Sequence, residues 1–183
     1  MPAETNTARL GQRPGALDLK GTAPGASARH LEVTQYCTFR LHDIVIGIDV
    51  CKVQEVLKHD RMTPVPLSPP EVVGLINLRG QIVTAVDLRP QLGLPATGEL
   101  TASVVVRAGD ETVSLLVQEV GDVVEPSPLD FEPVPAAVPA RVRDVVTGTF
   151  KLEGVLLLVL DPDRVAARLD PSNVSMRSNR NVA

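Results

Sequence analysis

The sequence has no tryptophan, and its aromatic residues amount to 2% of 183 positions. Its core must therefore rest almost wholly on Val, Leu, Ile and Ala. Cysteine is nearly as scarce: Cys37 and Cys51 are the only two, and they lack the Cys-x-x-Cys spacing of a metal or redox pair. They fall in expected strand regions and read as buried free thiols of a cytoplasmic protein, with a disulfide between them as the alternative. Excess positive charge is also missing. With a formal net charge of −4, the chain is not drawn to phosphate backbones or anionic lipid, so nucleic acid is excluded as a partner. No run approaches the roughly 18 apolar residues of a membrane span, and the start has neither the charged nor the apolar region of a secretory signal. The expectation is a cytoplasmic protein with no direct membrane insertion.

Catalytic groupings are missing as well. His30, His42 and His59 are scattered, with no Cys or carboxylate cluster beside any of them, so they read as surface or capping residues, not metal ligands. There is no phosphate-binding glycine loop, no Gly-x-Ser-x-Gly and no His-Glu-x-x-His. Asp161-Pro162-Asp163 lacks the spaced oxygens of a cation loop and reads as a helix cap. Asn173-Val174-Ser175 matches a glycosylation acceptor only in form. The expectation is a protein without catalytic residues, cofactor or metal.

What is present is punctuation. Sixteen prolines and 13 glycines fall between short apolar runs, as in a turn-rich all-β domain. Residues 1–32 have no period and too little apolar surface to offset chain entropy, and are expected to be a disordered tail. From about residue 34, Cys37, Phe39 and Leu41 alternate with Tyr36, Thr38 and Arg40, and Ile44, Ile46 and Ile48 continue the period after a turn at His42-Asp43. Residues 53–59 predict a third strand with neither face fully apolar, which suits an edge or a surface touched by a partner. Pro64, Pro66, Pro69 and Pro70 mark a connection, because proline lacks the amide donor that a middle strand needs. After Asp87, placed as an N-cap, residues 88–92 allow one or two helical turns ended by Gly93 and Pro95.

Strands are predicted again over 103–107, 112–117 and 120–124, with a turn at Gly109-Asp110, then a proline-rich connection over 126–139. Residues 145–152 pair with the unbroken apolar run 155–160, which reads as buried on both faces, and Asp161 caps a last helix that ends near Leu169. Two groups of 50 to 60 residues are too small for wide barrels, and closure would remove their exposed edges. From pattern alone the reading is all-β, barrel or sandwich.

One stretch carries more. Gly74-Leu75-Ile76-Asn77-Leu78-Arg79-Gly80 followed by residues 81–89 reads as two buried strands joined by a tight turn, with Asn77 and Gly80 suited to positive φ and Arg79 held out at the end. This stretch, ending in Asp87-Leu88-Arg89, closely resembles the signature of the CheW family of chemotaxis coupling proteins. Residues 47–56 resemble that family's first-subdomain segment and residues 154–161 its last strand and turn, so the resemblance spans about 34–169.

The resemblance implies two packed five-stranded Src-homology-3-like β-barrel subdomains with short helices and a hydrophobic groove between them. The domain would run over 33–170, with subdomains at about 33–92 and 100–170 and a frayed tail over 171–183. It implies a non-catalytic adaptor that couples methyl-accepting chemotaxis receptors to the regulatory domain of the histidine kinase CheA, recruited to membrane-associated receptor arrays. The alternative is a scaffold of another chemosensory or surface-motility pathway. By the same resemblance, Val53, Glu55 and Arg79 are partner-binding positions, and Val120 and Val123 line the groove, although both valines also read as plain core. The chain departs from the family pattern at Ser114 and Gln118, where a glycine and an aspartate are often found, which bears on partner preference.

Overall fold

The computed structural model describes residues 34–58 and 62–169. The expected tails, with His30 and Asn173 in them, and His59 lie outside the described residues.

Strands form where the side-chain period of two predicts them. β1 (Tyr36–Leu41) turns at His42-Asp43 into β2 (Ile44–Asp49), with Leu41 opposite Ile44. A 3-10 turn, Val50–Lys52, leads to β3 (Val53–Lys58), in which half-buried Val53, Glu55 and Leu57 alternate with exposed Gln54, Val56 and Lys58. β4 (Val72–Leu78) and β5 (Gln81–Asp87) make the central hairpin, followed by the short α1 (Arg89–Leu92), which stops at Gly93. β6 (Ala102–Ala108), β7 (Glu111–Val117) and β8 (Glu119–Val124) come next. The chain ends with β9 (Phe131–Pro133), α2 (Ala140–Arg143), β10 (Val146–Leu152), β11 (Val155–Leu160) and α3 (Pro162–Leu169). Asp161 caps α3 as expected, its Oδ1 accepting the Asp163 amide hydrogen at 3.0 Å.

The strands make a six-stranded sheet in the order β8-β1-β2-β11-β10-β9 and a five-stranded sheet in the order β3-β6-β7-β5-β4. The all-β reading with short helices therefore stands, with β9 adding a sixth strand to one sheet. The division expected between about residues 92 and 100 is not where the sheets part. β1 and β2 lie with β8 to β11, and β6 and β7 lie with β3 to β5. The interleaving follows from burial. β2 and β7 carry apolar side chains on both faces, and each gains a second neighbour by a parallel pairing, β2 with β11 and β7 with β5.

Three apolar clusters follow from this arrangement. The largest is shared by both sheets and includes Phe39, Leu41, Ile46 and Ile48 from one, Val86, Val104, Val106 and Leu115 from the other, and Val165 of α3. Ile76, Val83, Ala85 and Leu116 form a small core on the opposite face of the five-stranded sheet, and Phe150, Leu157 and Val159 form one on the opposite face of the six-stranded sheet. Odd and even positions of one strand thus serve different cores. In β11, Leu157 and Val159 face one cluster while Leu158 and Leu160 face the other. The expectation that the whole run 155–160 is buried holds for Leu157, Val159 and Leu160; Leu158 is half-buried, and Val155 and Leu156, which precede the stretch paired with β2, are exposed.

The edges of the five-stranded sheet are brought together. Thr63, just beyond β3, exchanges backbone hydrogen bonds of 2.9 and 2.8 Å with Leu75 of β4, so chain leaving the first edge covers the last.

Two local expectations need correction. Cys51 lies in the 3-10 turn, not in a strand, and is exposed; both cysteines are free, and only Cys37 is buried. The N-cap position of α1 is Leu88, which has no side chain able to accept a hydrogen bond. Asp87, one residue earlier, accepts the Arg89 amide hydrogen at 2.9 Å and also grips the Arg89 guanidinium, with Nε donating at 3.0 Å and Nη2 at 2.7 Å. The pair is buried, and Arg89 Nη1 donates onward to the carbonyls of Thr97 and Gly98 at 2.9 and 3.0 Å. The Asp-Leu-Arg end of the signature is therefore a structural clamp on the loop before β6.

Candidate partner-binding surface

A two-residue hairpin loop of the favoured kind needs positive φ at both central residues. Leu78 opposes Gln81, so these residues are Arg79 and Gly80, with φ of 53° and 89°. Gly80 adopts this conformation freely, whereas Arg79 is strained there by roughly 1–2 kcal/mol. The sequence suggested Asn77 for positive φ, but Asn77 stays in β4 and its Oδ1 accepts the Gly80 amide hydrogen at 2.8 Å. That bond closes the turn and leaves Arg79 at its tip, with its side chain 80% exposed.

Arg79 Nη2 donates to Glu55 Oε1 at 2.9 Å. Glu55 lies on β3, three to four strands across the sheet from the hairpin. In a flat sheet that separation would be about 14–19 Å, so the pair forms because the sheet curls. Two of the five sequence-predicted residues are thus in direct contact. Val53, at the start of the same strand, is half-buried and packs against the shared core. Exposed Ile82 lies one position beyond the hairpin's closing residue Gln81 and adds apolar surface near the pair.

Val120 and Val123 lie on β8, the outer strand of the other sheet, opposite Phe39 and Cys37 of β1. They differ in environment: Val120 packs against the shared core, and Val123 is 56% exposed. Between β3 and β8 runs a groove of about 560 Å³, with Val56, Leu57 and Lys58 from one strand, Glu119 and Val120 from the other, and Thr101, Ala102 and Gln118 completing the lining. Of the predicted residues only Val120 lines it. Val56 and Gln118 were missed as lining residues. The exposed alternation of Val56 with Gln54 and Lys58 was a legible signal for the first, while Gln118 had only its departure from the family pattern. Ser114, the other departure, is fully buried in β7, and its hydroxyl has no hydrogen-bond partner among the described residues.

Burial pushes the Cys37 thiol above its usual pKa, and burial followed by the Asp49 carboxylate does the same for the Tyr36 phenol, opposed by a hydrogen bond with Thr34. Asp163, at the start of α3, is held below the usual carboxylate value chiefly by its hydrogen bond from Lys52; partial burial opposes this, and the Gly109 amide hydrogen assists it. Among the described residues no group of three or more His, Cys, Asp or Glu is placed to hold a metal ion, and no helix is long and apolar enough to cross a membrane.

Two curled sheets on a common core, an arginine held out on a hairpin and a groove lined by two strand edges define a module that presents contact surfaces. The CheW-like domain family model matches residues 35–170, and the chain belongs to that family. It is 29% identical over 143 residues to a chemotaxis protein CheW of Rhizobium meliloti, covering 76% of this chain and 92% of that protein. It is 30% identical over 138 residues to one of Thermotoga maritima, covering 74% of this chain and 89% of that protein. The crystal structure of the scaffolding protein TtCheW from Thermoanaerobacter tengcongensis superposes with a TM-score of 0.65 at 26% identity, covering 70% of this chain and 88% of that one.

Proposed function

We propose that this chain is a non-catalytic chemotaxis adaptor that couples methyl-accepting receptors to the histidine kinase CheA, working in the cytoplasm at membrane-associated receptor arrays. The observation that carries the reading is Arg79, strained, largely exposed and braced by Glu55 within a CheW-like domain. A residue kept in a sparsely populated backbone region at an exposed tip suggests a role outside its own fold. Its guanidinium spends one Nη2 hydrogen on Glu55 and keeps its other donors for a partner carboxylate or carbonyl, which its planar fork can engage at two points.

In this reading Val53, Glu55 and Arg79 serve one contact surface, and Val120 and Val123 serve the groove side, where an apolar receptor segment would lie. Adaptor action needs occupancy of both partners and a difference in contact free energy between kinase-on and kinase-off arrangements, because equal affinity for both would shift nothing. The test is co-sedimentation of the protein with receptor cytoplasmic fragments and CheA while kinase activity is followed. Wild type should assemble with both and raise kinase activity, and Arg79→Glu should lose both effects. Binding of wild type to neither partner would overturn the reading.

A further inference from the structure

β7 belongs to one sheet and β8 to the other, and the single residue between them is Gln118. The chain therefore crosses between sheets at this point, beside the groove that Gln118 helps to line. Its backbone is held on both sides: the Gln118 amide donates to the Arg40 carbonyl of β1 at 3.2 Å, and the Thr101 hydroxyl donates to the Gln118 carbonyl at 2.5 Å. The side chain does the same again. Oε1 accepts the amide hydrogen of His42 in the β1–β2 turn, and Nε2 donates to the Thr97 carbonyl at 3.3 Å.

Thr97 is the residue whose carbonyl also accepts from Arg89, itself clamped by Asp87 at the end of β5. A carbonyl oxygen has two lone pairs and can take both donors. One polar chain thus runs from Asp87 and Arg89 through Thr97 and Gln118 to His42, from one sheet to the other. Gly98 makes room for it: its φ is +82°, and a Cβ there would stand 2.0 Å from Gln118 Nε2.

We infer that Gln118 is a positioning residue that fixes the start of β8 against the loop 97–101, whose next residue Ala102 pairs with Lys58 of β3, and so sets the spacing of β3 and β8 across the groove and the affinity for the receptor segment the groove receives. This rests on the proposed adaptor reading for the partner's identity. The amide is suited to the task because it accepts at one end and donates at the other, whereas a carboxylate would set an oxygen against the Thr97 carbonyl.

The test places spin labels on cysteines introduced at Lys58 and Glu119, on the two groove walls, in a Cys37→Ala, Cys51→Ser background, and measures the distance between them at a temperature well below melting. The reference protein should give one narrow distribution, Gln118→Ala a broad one, and Gln118→Glu one in between. Unlabelled Gln118→Ala should bind a receptor cytoplasmic fragment about tenfold more weakly, as expected if its binding-competent fraction falls to about a tenth. A merely stabilising role would lower the melting temperature and leave both readouts unchanged.

An unchanged distance distribution in both variants overturns the inference, as does a broadened one with unchanged affinity. Should Gln118→Ala not fold, Gln118→Glu decides by the same two measurements. If the wild type binds no receptor fragment, the adaptor reading fails, and the label distances alone decide whether Gln118 sets the groove.

Discussion

Arg79 Nη2 lies 2.9 Å from Glu55 Oε1, although the two residues belong to elements three or four strands apart in the same sheet. The contact exists because the sheet curls, and it joins the edge strand β3 to the tip of the β4–β5 hairpin. An ion pair this exposed adds roughly 0–1 kcal/mol to stability. The strained backbone at Arg79 takes away about as much or more. The pair is therefore poorly explained by stability and better explained by what Arg79 meets outside the fold.

That balance makes Arg79→Asn informative. Asparagine followed by glycine is the favoured pair for such a turn, so relief of strain should offset the lost ion pair. The melting temperature should stay level or rise by a few degrees while assembly with receptor and kinase is lost. Thermal denaturation beside co-sedimentation checks both, and a fall of several degrees would show that Arg79 supports the fold.

Arg89 should behave in the opposite way. Its guanidinium is buried against Asp87 and holds two loop carbonyls, so Arg89→Ala leaves a buried carboxylate and the Thr97 and Gly98 carbonyls without their donor. The expected loss is roughly 3–5 kcal/mol, read from the shift in urea midpoint. Arg89→Lys should recover little of it, because an ammonium cannot span the carboxylate and both carbonyls in one plane.

The thiols separate by burial. Cys51 is exposed and Cys37 is buried with its thiol pushed toward the protonated form, so a thiol reagent at neutral pH should modify one cysteine quickly in the native protein and both in urea. Fast modification of both without denaturant would contradict the packing of β1 against β2 and β8.

Asp163 sets a small pH dependence. Its folded pKa lies below the unfolded value of about 3.9, so its contribution to stability is complete above that value and disappears as pH falls through the folded pKa. Asp163→Asn should therefore be slightly less stable than wild type near neutrality, and the two should converge in strong acid. Added salt should narrow the difference, since the Lys52–Asp163 pair is partly exposed. Equal denaturation midpoints at every pH would remove this role.

Much of this was legible in the sequence for a physical reason. The alternation of Cys37, Phe39 and Leu41 and of Ile44, Ile46 and Ile48, the glycines at the turns and the proline-rich connections are local signals, and they placed most strands within a residue or two. Strand partnership is not local. Nothing in residues 36–49 announces that they pair with 119–124 and 155–160, not with the strands that follow them, and the one-residue crossing at Gln118 has no turn signature. The site was legible in the same measure. Glu55 and Arg79 came from matched motifs, but their contact arises from the curl of the sheet, and the groove between β3 and β8 from the interleaving of the strands.

The most direct test of the central claim is the charge exchange Glu55→Arg with Arg79→Glu, measured beside each single variant for melting temperature and for assembly with receptor fragments and CheA. If Arg79 serves a partner, the exchange should restore any stability the single variants lose and leave assembly and kinase activation absent. Recovery of assembly to the wild-type level would make the pair a structural link and contradict the proposed role of Arg79.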